Sequence, residues 1–442
     1  RQHSDAVRAF RWGVFTEYNN PDWFTNSSAT YAQLYDFTVC ALEGVLGDGT
    51  IDVGAHACTQ CEWSHGGGGW DPLDLLRHTS TGINYCTGGV GTRITFLADS
   101  FYEVTPGNPG DLSHFQREVG ALVAGARALG YSPPAFVYGI DEGRILQGTD
   151  GMSLLTRAVG ASYQASFDAL LFKLMTSNGV SWYARWGVTT NGATGMWTWQ
   201  QDVEPVSTHV ARLCDRMVGD TLLAVTNASI AAPGAAGSAI VDAAISVAAG
   251  GTTLRVLVLR HDVSGGVEPA GNWSVAAIKV CGFAGSAAVA NATVWQVDDA
   301  HAQFWLAWQA DVVAHHITSY QPGWSPEGEV VALTNASEAA FFQSRVPAYQ
   351  ALAALAPVAA GSGGLPMPVA SGGCVTWNAT LVGSAVQLWE VAMSVAEPAP
   401  QPTGPAPFDI VSFGAVGDGT TLNTAALSLI HISEPTRLRR IS

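Results

Sequence analysis

The stretch Phe10–Phe24, FRWGVFTEYNNPDWF, runs from an apolar strand into a carboxylate and then into a polar, aromatic loop. Phe10–Phe15 has the composition of a strand, and Glu17 falls just past its end. The layout recurs in AFVYGIDEG, where the apolar run Ala135–Ile140 leads into Asp141 and Glu142. Further strand-like runs occupy Ile51–Ala55, Ile94–Leu97 and Trp182–Trp186. Helical patterns lie between them, at Ser28–Leu42, Pro72–His78, Leu112–Leu129 and Ala161–Ser177. Alternating strands and helices predict a parallel sheet. Catalytic-type residues at the carboxyl ends of strands predict a (β/α)8 barrel over residues 1–216. Five strands can be counted there, where a closed barrel has eight, so the expected fold is a partial barrel.

The pattern changes over residues 217–395. Short β-rich runs follow one another, at Leu222–Val225, Leu254–Leu259, Val275–Val280, Ala292–Val297, Val330–Leu333 and Val386–Trp389, with Gly, Pro and Asn between. Long helical periodicity is scarce, which predicts an antiparallel β-sandwich. Residues 396–407, EPAPQPTGPAP after Ala396, form a Pro-rich linker. Phe408–Ala426, FDIVSFGAVGDGTTLNTAA, resembles the opening of the right-handed β-helix polysaccharide enzymes, polygalacturonases among them, with Asn423 where those commonly carry Asp. Leu427–Arg437, LSLIHISEPTR, resembles the translation of a transposase sequencing adapter, so Leu427–Ser442 are set aside from the reading of fold and function. Arg1 is not Met and no signal peptide opens the sequence, so a chain starting inside a longer protein is expected.

Composition narrows the class. Apolar residues make up 48% and charged residues 13% of the 442, which marks a globular chain. The net charge of −16, with no basic stripe, argues against nucleic acid as a partner. No apolar run reaches membrane-spanning length. Asn26, Asn227, Asn272, Asn291, Asn335 and Asn378 each begin an Asn-X-Ser/Thr sequon, and together they favour a secreted glycoprotein. Seven cysteines, an odd number, leave at least one thiol free or paired outside the chain; Cys58, Cys61 and Cys86 share one loop-rich stretch that could include a disulfide. His56 or His65 near Cys58 and Cys61 lacks a second CxxC, so no metal is assigned, and no organic cofactor.

The two strand-end carboxylates suit acid/base and nucleophilic work on one bond. Retaining glycoside hydrolysis uses a pair of carboxyl groups about 5–5.5 Å apart, one protonated and one ionised. Two strand ends facing across a barrel mouth can supply that pair. Glu142 is the candidate nucleophile, and Glu17 the candidate acid/base that protonates the leaving oxygen and then activates water. The ionised Glu142 would help to hold Glu17 protonated by like-charge repulsion. Asp141 competes for the nucleophile's role, although strand alternation predicts that it turns away.

Four segments resemble glycoside hydrolase family 39 of clan A, which contains β-xylosidases and α-L-iduronidases. Trp12–Trp23 is similar to the family's fourth-strand motif. Asp52–Ala55, Trp70–Leu76 and Thr87–Tyr102 follow its fifth and sixth strands, Tyr138–Gly143 its seventh, and VWQVDDAHAQFWLAW, Val294–Trp308, a motif of its sandwich. The resemblance covers roughly residues 6–395 and implies barrel strands 4–8 followed by the sandwich. It implies a secreted, β-xylosidase-like O-glycosyl hydrolase working by double displacement on a polysaccharide or oligosaccharide. It puts Glu17 on the acid/base, Glu142 on the nucleophile and Asn19–Asn20 on the following Asn region. It also suggests substrate contacts from Thr16, His56 and Tyr102, and a sugar platform from Trp186 or Trp182. Two departures stand out: Thr16 replaces the usual Asn before the acid/base, and Asp141 the usual Thr before the nucleophile. They leave open a non-catalytic carbohydrate-binding or adhesive protein derived from the same fold. With three strand–helix units missing, the chain alone is expected to be inactive.

Overall fold

The computed structural model describes residues 7–21, 23–47, 49–58, 70–103, 112, 115–145, 162–184, 203–225, 239–262, 273–283, 287–318, 324–325, 328–329 and 335–394. Trp186, Asn227, Asn272, Val330–Leu333, the linker, Phe408–Ala426 and Leu427–Ser442 lie outside them.

The first half is a five-stranded, all-parallel sheet in sequential order. Its strands are β1 (Arg11–Gly13), β2 (Asp52–Cys58), β3 (Phe96–Glu103), β4 (Val137–Ile145) and β5 (Val180–Tyr183). All five expected strands are present, as are the helices α1 (Ser28–Leu46), α2 (Leu73–Thr81), α3 (Ala121–Ala128) and α4 (Ser162–Asn178) between them. A π-helical turn, Gln116–Gly120, leads into α3. Helix α5 (Val206–Asp215) follows β5. Alternation sorts the side chains by face. Val53, Ala55, Ala57, Leu97, Phe101, Tyr138 and Ile140 are buried in the core formed with the helices, while Gly54, His56, Phe96, Ser100 and Gly139 point to the other face.

That other face is packed by small residues opposite large ones. A Cβ on Gly54 would lie 2.6 Å from the Phe96 ring, and one on Gly139 would lie 1.8 Å from the Trp182 indole. Both positions need glycine for the neighbouring ring to lie across the sheet. Trp182 packs edge-on against Phe96, with ring centroids 5.6 Å apart. The Arg11 guanidinium lies 4.0 Å above the Trp182 ring. Arg11 is on β1 and Trp182 on β5, the two outer strands, so the sheet curls far enough for its edges to meet through side chains. This is the curvature of a barrel wall.

The second half is antiparallel. One six-stranded sheet runs β13-β10-β16-β8-β7-β6, and a three-stranded sheet runs β14-β15-β9. The strands are β6 (Thr221–Leu223), β7 (Ala239–Val247), β8 (Thr253–Asp262), β9 (Trp273–Cys281), β10 (Ala288–Val297), β11 (Trp324–Ser325), β12 (Gly328–Glu329), β13 (Pro357–Ala359), β14 (Val369–Ser371), β15 (Cys374–Val382) and β16 (Ala385–Ser394). A separate apolar core lies between the two sheets, with Val256, Val258, Ile278, Val294, Trp377 and Trp389 among its members. The architecture is therefore a partial (β/α)8 barrel followed by an antiparallel β-sandwich.

Helical content in this half exceeds the sequence expectation. Helices α6 (Trp305–Ala314) and α7 (Ala336–Ala353) cover residues whose apolar positions keep no clean 3.6-residue period, and Pro347 interrupts α7. Trp308, Phe342 and Tyr349 nevertheless bury together, and their packing overrides the weak local signal. Helix α4 joins the halves. Its first ten residues, Ser162–Leu171, are all buried, because it is enclosed by the barrel on one side and the sandwich on the other. Ser166 bonds His261 of β8, Lys173 pairs with Asp242 of β7, and Ser162 donates to Asp299.

Cys86 is bonded to Cys40 of α1, not to a cysteine of its own loop. A second disulfide, Cys281–Cys374, joins facing positions on β9 and β15. Cys214 is a free thiol, and burial pushes its pKa up. Among the described residues no helix is long and apolar enough to cross a membrane.

Candidate active site

The site is built where the parallel strands end. Beyond β1 the chain keeps pairing with β2: Val14 N–H donates to Gly54 at 2.9 Å and Tyr18 N–H to His56 at 3.0 Å. Glu17 is held between these two bonds. Phe15 and Glu17 have φ of 69° and 45°, a left-handed backbone that side chains with a Cβ resist. Such strain is commonly kept where it positions a functional side chain. Tyr18 stacks on Tyr31 at 4.3 Å and donates to the Pro72 carbonyl at 2.8 Å, which fixes the far side of the turn.

Glu17 is 8% exposed. Its Oε2 accepts hydrogen bonds from Asn20 Nδ2 at 2.9 Å and from Trp23 Nε1 at 2.7 Å. Asn20 thus serves the carboxylate directly. Asn19 instead donates to the Trp70 carbonyl at 3.3 Å and holds a neighbouring loop. Thr16 is exposed.

On β4, register shows why both acidic residues face the site. Asp99 pairs with Ile140 and the next residue, Ser100, pairs with Glu142, so Asp141 is the extra residue of a β-bulge. Alternation from Gly139 keeps Asp141 on the site face and would turn Glu142 away; the bulge brings Glu142 to the same face, level with Ser100. Asp141 Oδ1 accepts from Trp182 Nε1 at 2.7 Å, and Glu142 Oε2 accepts from Tyr102 Oη at 2.8 Å. The adjacent carboxylates therefore have different anchors. His56, 5% exposed, shares a 2.8 Å hydrogen bond with Ser100 Oγ.

These groups form one electrostatic cluster. Burial pushes the Glu142 carboxyl up to about 7; the Tyr102 hydroxyl opposes that, and the charges of Glu17 and Asp141 add to it. Burial lowers the His56 pKa, against Asp141 and Glu17. Asp99, 1% exposed and on the helix-facing side of β3, has its pKa raised by burial and then by Glu118, Glu17 and Asp141. The expectation of a simply ionised Glu142 is modified accordingly: in the free protein it binds a proton near neutrality. Among the described residues no group of three or more metal-ligating side chains is assembled.

Of the residues singled out in the sequence, Glu17, Asn20, His56, Tyr102, Asp141 and Glu142 come together, and Trp182 takes part from β5. Trp23, Asp99 and Ser100 were missed. Trp23 carried a signal, since it lies six residues past Glu17 across an Asn-Asn-Pro turn. Asp99 carried none, because its burial comes entirely from tertiary packing.

No known family profile matches the chain, and no curated protein sequence matches it. Solved structures do. A bacterial orthologue of human α-L-iduronidase aligns with a TM-score of 0.57 at 13% identity, over 89% of this chain and 63% of its own. The GH51 α-L-arabinofuranosidase of Thermotoga petrophila aligns with a TM-score of 0.48 at 13% identity, over 86% of this chain and 66% of its own. This chain thus spans just under two thirds of the length of these proteins. The likeness to the iduronidase orthologue is one of fold, a partial (β/α)8 barrel followed by a β-sandwich.

Proposed function

We propose that the full-length protein is a retaining glycoside hydrolase, with Glu142 as nucleophile and Glu17 as acid/base, and that these 442 residues alone are inactive, so that turnover is measured on the full-length protein. The observation that carries this reading is a pair of separately anchored carboxylates at the ends of β4 and β1, each held by its own donors. Glu142 is preferred to Asp141 because it falls on the nucleophile in the family resemblance; among the described residues each of the two carboxylates accepts one donor, from Tyr102 and from Trp182. In the first step a Glu142 oxygen bonds to the anomeric carbon, while Glu17 gives its proton to the departing glycosidic oxygen. In the second step Glu17 takes a proton from water, which attacks the same carbon and releases Glu142. His56, neutral and fixed by Ser100, is a donor or acceptor for a sugar hydroxyl. No step needs a metal or organic cofactor.

We further propose a β-xylosidase-like substrate, a polysaccharide or oligosaccharide, and an extracellular location. The described sequon residues Asn26, Asn291, Asn335 and Asn378 are all exposed, and two disulfides are formed among the described residues, both in keeping with an oxidising compartment. Domain limits of 1–216 and 217–395 are part of the same proposal. Incubation with a 2-deoxy-2-fluoro glycoside followed by peptide mass spectrometry tests the assignment. A glycosyl adduct on Glu142 is expected. An adduct on Asp141 would replace Glu142 as nucleophile, one on Glu17 would reverse the two roles, and a retained anomeric configuration in the product is required throughout.

A further inference from the structure

Trp23 is 63% exposed, yet its indole N–H donates to Glu17 Oε2 at 2.7 Å. Asn20 donates to the same oxygen, so two N–H groups occupy Oε2 and the proton that Glu17 transfers belongs on Oε1. The indole is held by a short turn. Trp23 N–H donates to Asn20 O at 3.1 Å, Phe24 N–H to Asn20 O at 2.8 Å, and Asn20 N–H to Glu17 O at 2.8 Å. The Phe24 ring is packed edge-on against Phe15 and Tyr31, at 5.5 and 5.6 Å. The result is a large ring tethered by its N–H edge, with much of its surface open to solvent beside a candidate acid/base. A fixed, exposed indole face is suited to the apolar face of a sugar ring. The acid/base meets the oxygen that departs, so what lies beside it receives the leaving group.

We propose that Trp23 is a positioning residue for Glu17 and the aromatic platform of the leaving-group subsite, selecting a second sugar ring there. This rests on the reading of Glu17 as acid/base. In the step it serves, the proton on Glu17 Oε1 passes to the glycosidic oxygen as the bond from that oxygen to the anomeric carbon breaks. The bonding pair stays with the oxygen, and the Glu17 carboxylate left behind keeps its two N–H donors.

The test compares the protein with Trp23→Phe and Trp23→Ala, using a disaccharide and the dinitrophenyl glycoside of the same sugar, whose phenolate leaves without a proton. Phenylalanine keeps a face but loses the N–H. It is expected to lower kcat/KM for the disaccharide about tenfold, through lost positioning, with the dinitrophenyl glycoside spared. Alanine is expected to raise the disaccharide KM about tenfold more, through loss of the stacking face. Equal losses on both substrates, or none, would overturn the positioning role. Calorimetric binding of the disaccharide in a Glu142→Gln background needs no turnover. There Trp23→Ala is expected to weaken binding about tenfold and Trp23→Phe to keep it within about twofold. Binding unchanged in Trp23→Ala would overturn the platform. Lost binding in a protein that turns over neither glycoside would keep the platform and overturn the acid/base reading beneath it.

Discussion

The barrel half and the sandwich half bury polar groups in opposite ways. In the sandwich, Arg260 is 3% exposed, and its guanidinium donates to Ser274 Oγ at 3.1 Å and to the Gly383 carbonyl at 2.7 Å. In the barrel, Asp99 is 1% exposed and neither of its oxygens has a hydrogen-bond partner among the described residues. A buried charge that is paired costs little, whereas an unpaired one is expelled as a proton shift. In the sandwich the buried charge of Arg260 is thus held by hydrogen bonds, although Trp377 Nε1 has none among the described residues. The parallel sheet instead holds Glu17, His56, Asp99, Asp141 and Glu142 in one field, two of its carboxyls have raised pKa values, and β4 is bulged beside them. The strand-end carboxylates are thus gathered in one half of the molecule.

The sharpest way to break that division is Glu142→Gln. It should lower turnover by roughly 10⁴-fold while leaving the melting temperature within a degree or two, since the change keeps shape and removes only a charge. A large loss of stability would mean that the carboxylate is structural. The converse is Trp389→Ala, which removes a fully buried ring from the inter-sheet core. It should cost about 3–5 kcal/mol in denaturant unfolding. A much smaller cost would show that the sandwich core is not tightly packed.

Two pH experiments sharpen the contrast further. A nucleophile must be ionised, and the Glu142 pKa is about 7. With Glu142 in that role, kcat/KM for the dinitrophenyl glycoside, whose leaving group needs no proton from Glu17, should rise about tenfold per pH unit up to that region and level off above it. A profile that instead falls as pH rises through 7 would make Glu142 the proton donor. Asp99 gives the smallest effect. Its folded pKa is raised, so it carries no charge penalty at pH below its unfolded value. Stability is lost as pH climbs toward the folded value. Asp99→Asn should therefore flatten stability against pH above about 4, and leave it unchanged below. Parallel unfolding curves for the two proteins across that range would show Asp99 to be paired after all.

Much of the parallel sheet was legible because its strands are apolar runs bounded by polar loops, and Glu17 and Glu142 were legible because each ends such a run. The bulge at Asp141 was not. Inserting one residue into a strand changes no composition; it shows only when β4 is laid against β3. Trp23 stood in the quoted loop, and its spacing from Glu17 across the Asn-Asn-Pro turn was the one local hint that the indole returns to the carboxylate. In the second half β7 and β15 passed unnoticed, β7 because Ala dilutes its alternation, as in DAAISV, whereas β15, VTWNATL, alternates apolar and polar residues strictly and was legible by its period. Helix α7 was hidden by Pro347, whose effect on the pattern is local, while burial of Phe342 and Tyr349 is not.

Helix α4 carries a consequence for how the chain is made. Its partners come late in synthesis: His261 lies 95 residues after Ser166, and Asp299 lies 137 after Ser162. At ribosomal speeds of about 5–20 residues per second, the helix waits on the order of ten seconds with one side uncovered. During that interval Tyr163, Phe167 and Leu171 have no sandwich to rest on. The nascent barrel thus keeps that side of the helix uncovered until β8 emerges, and the sandwich is its last fastening.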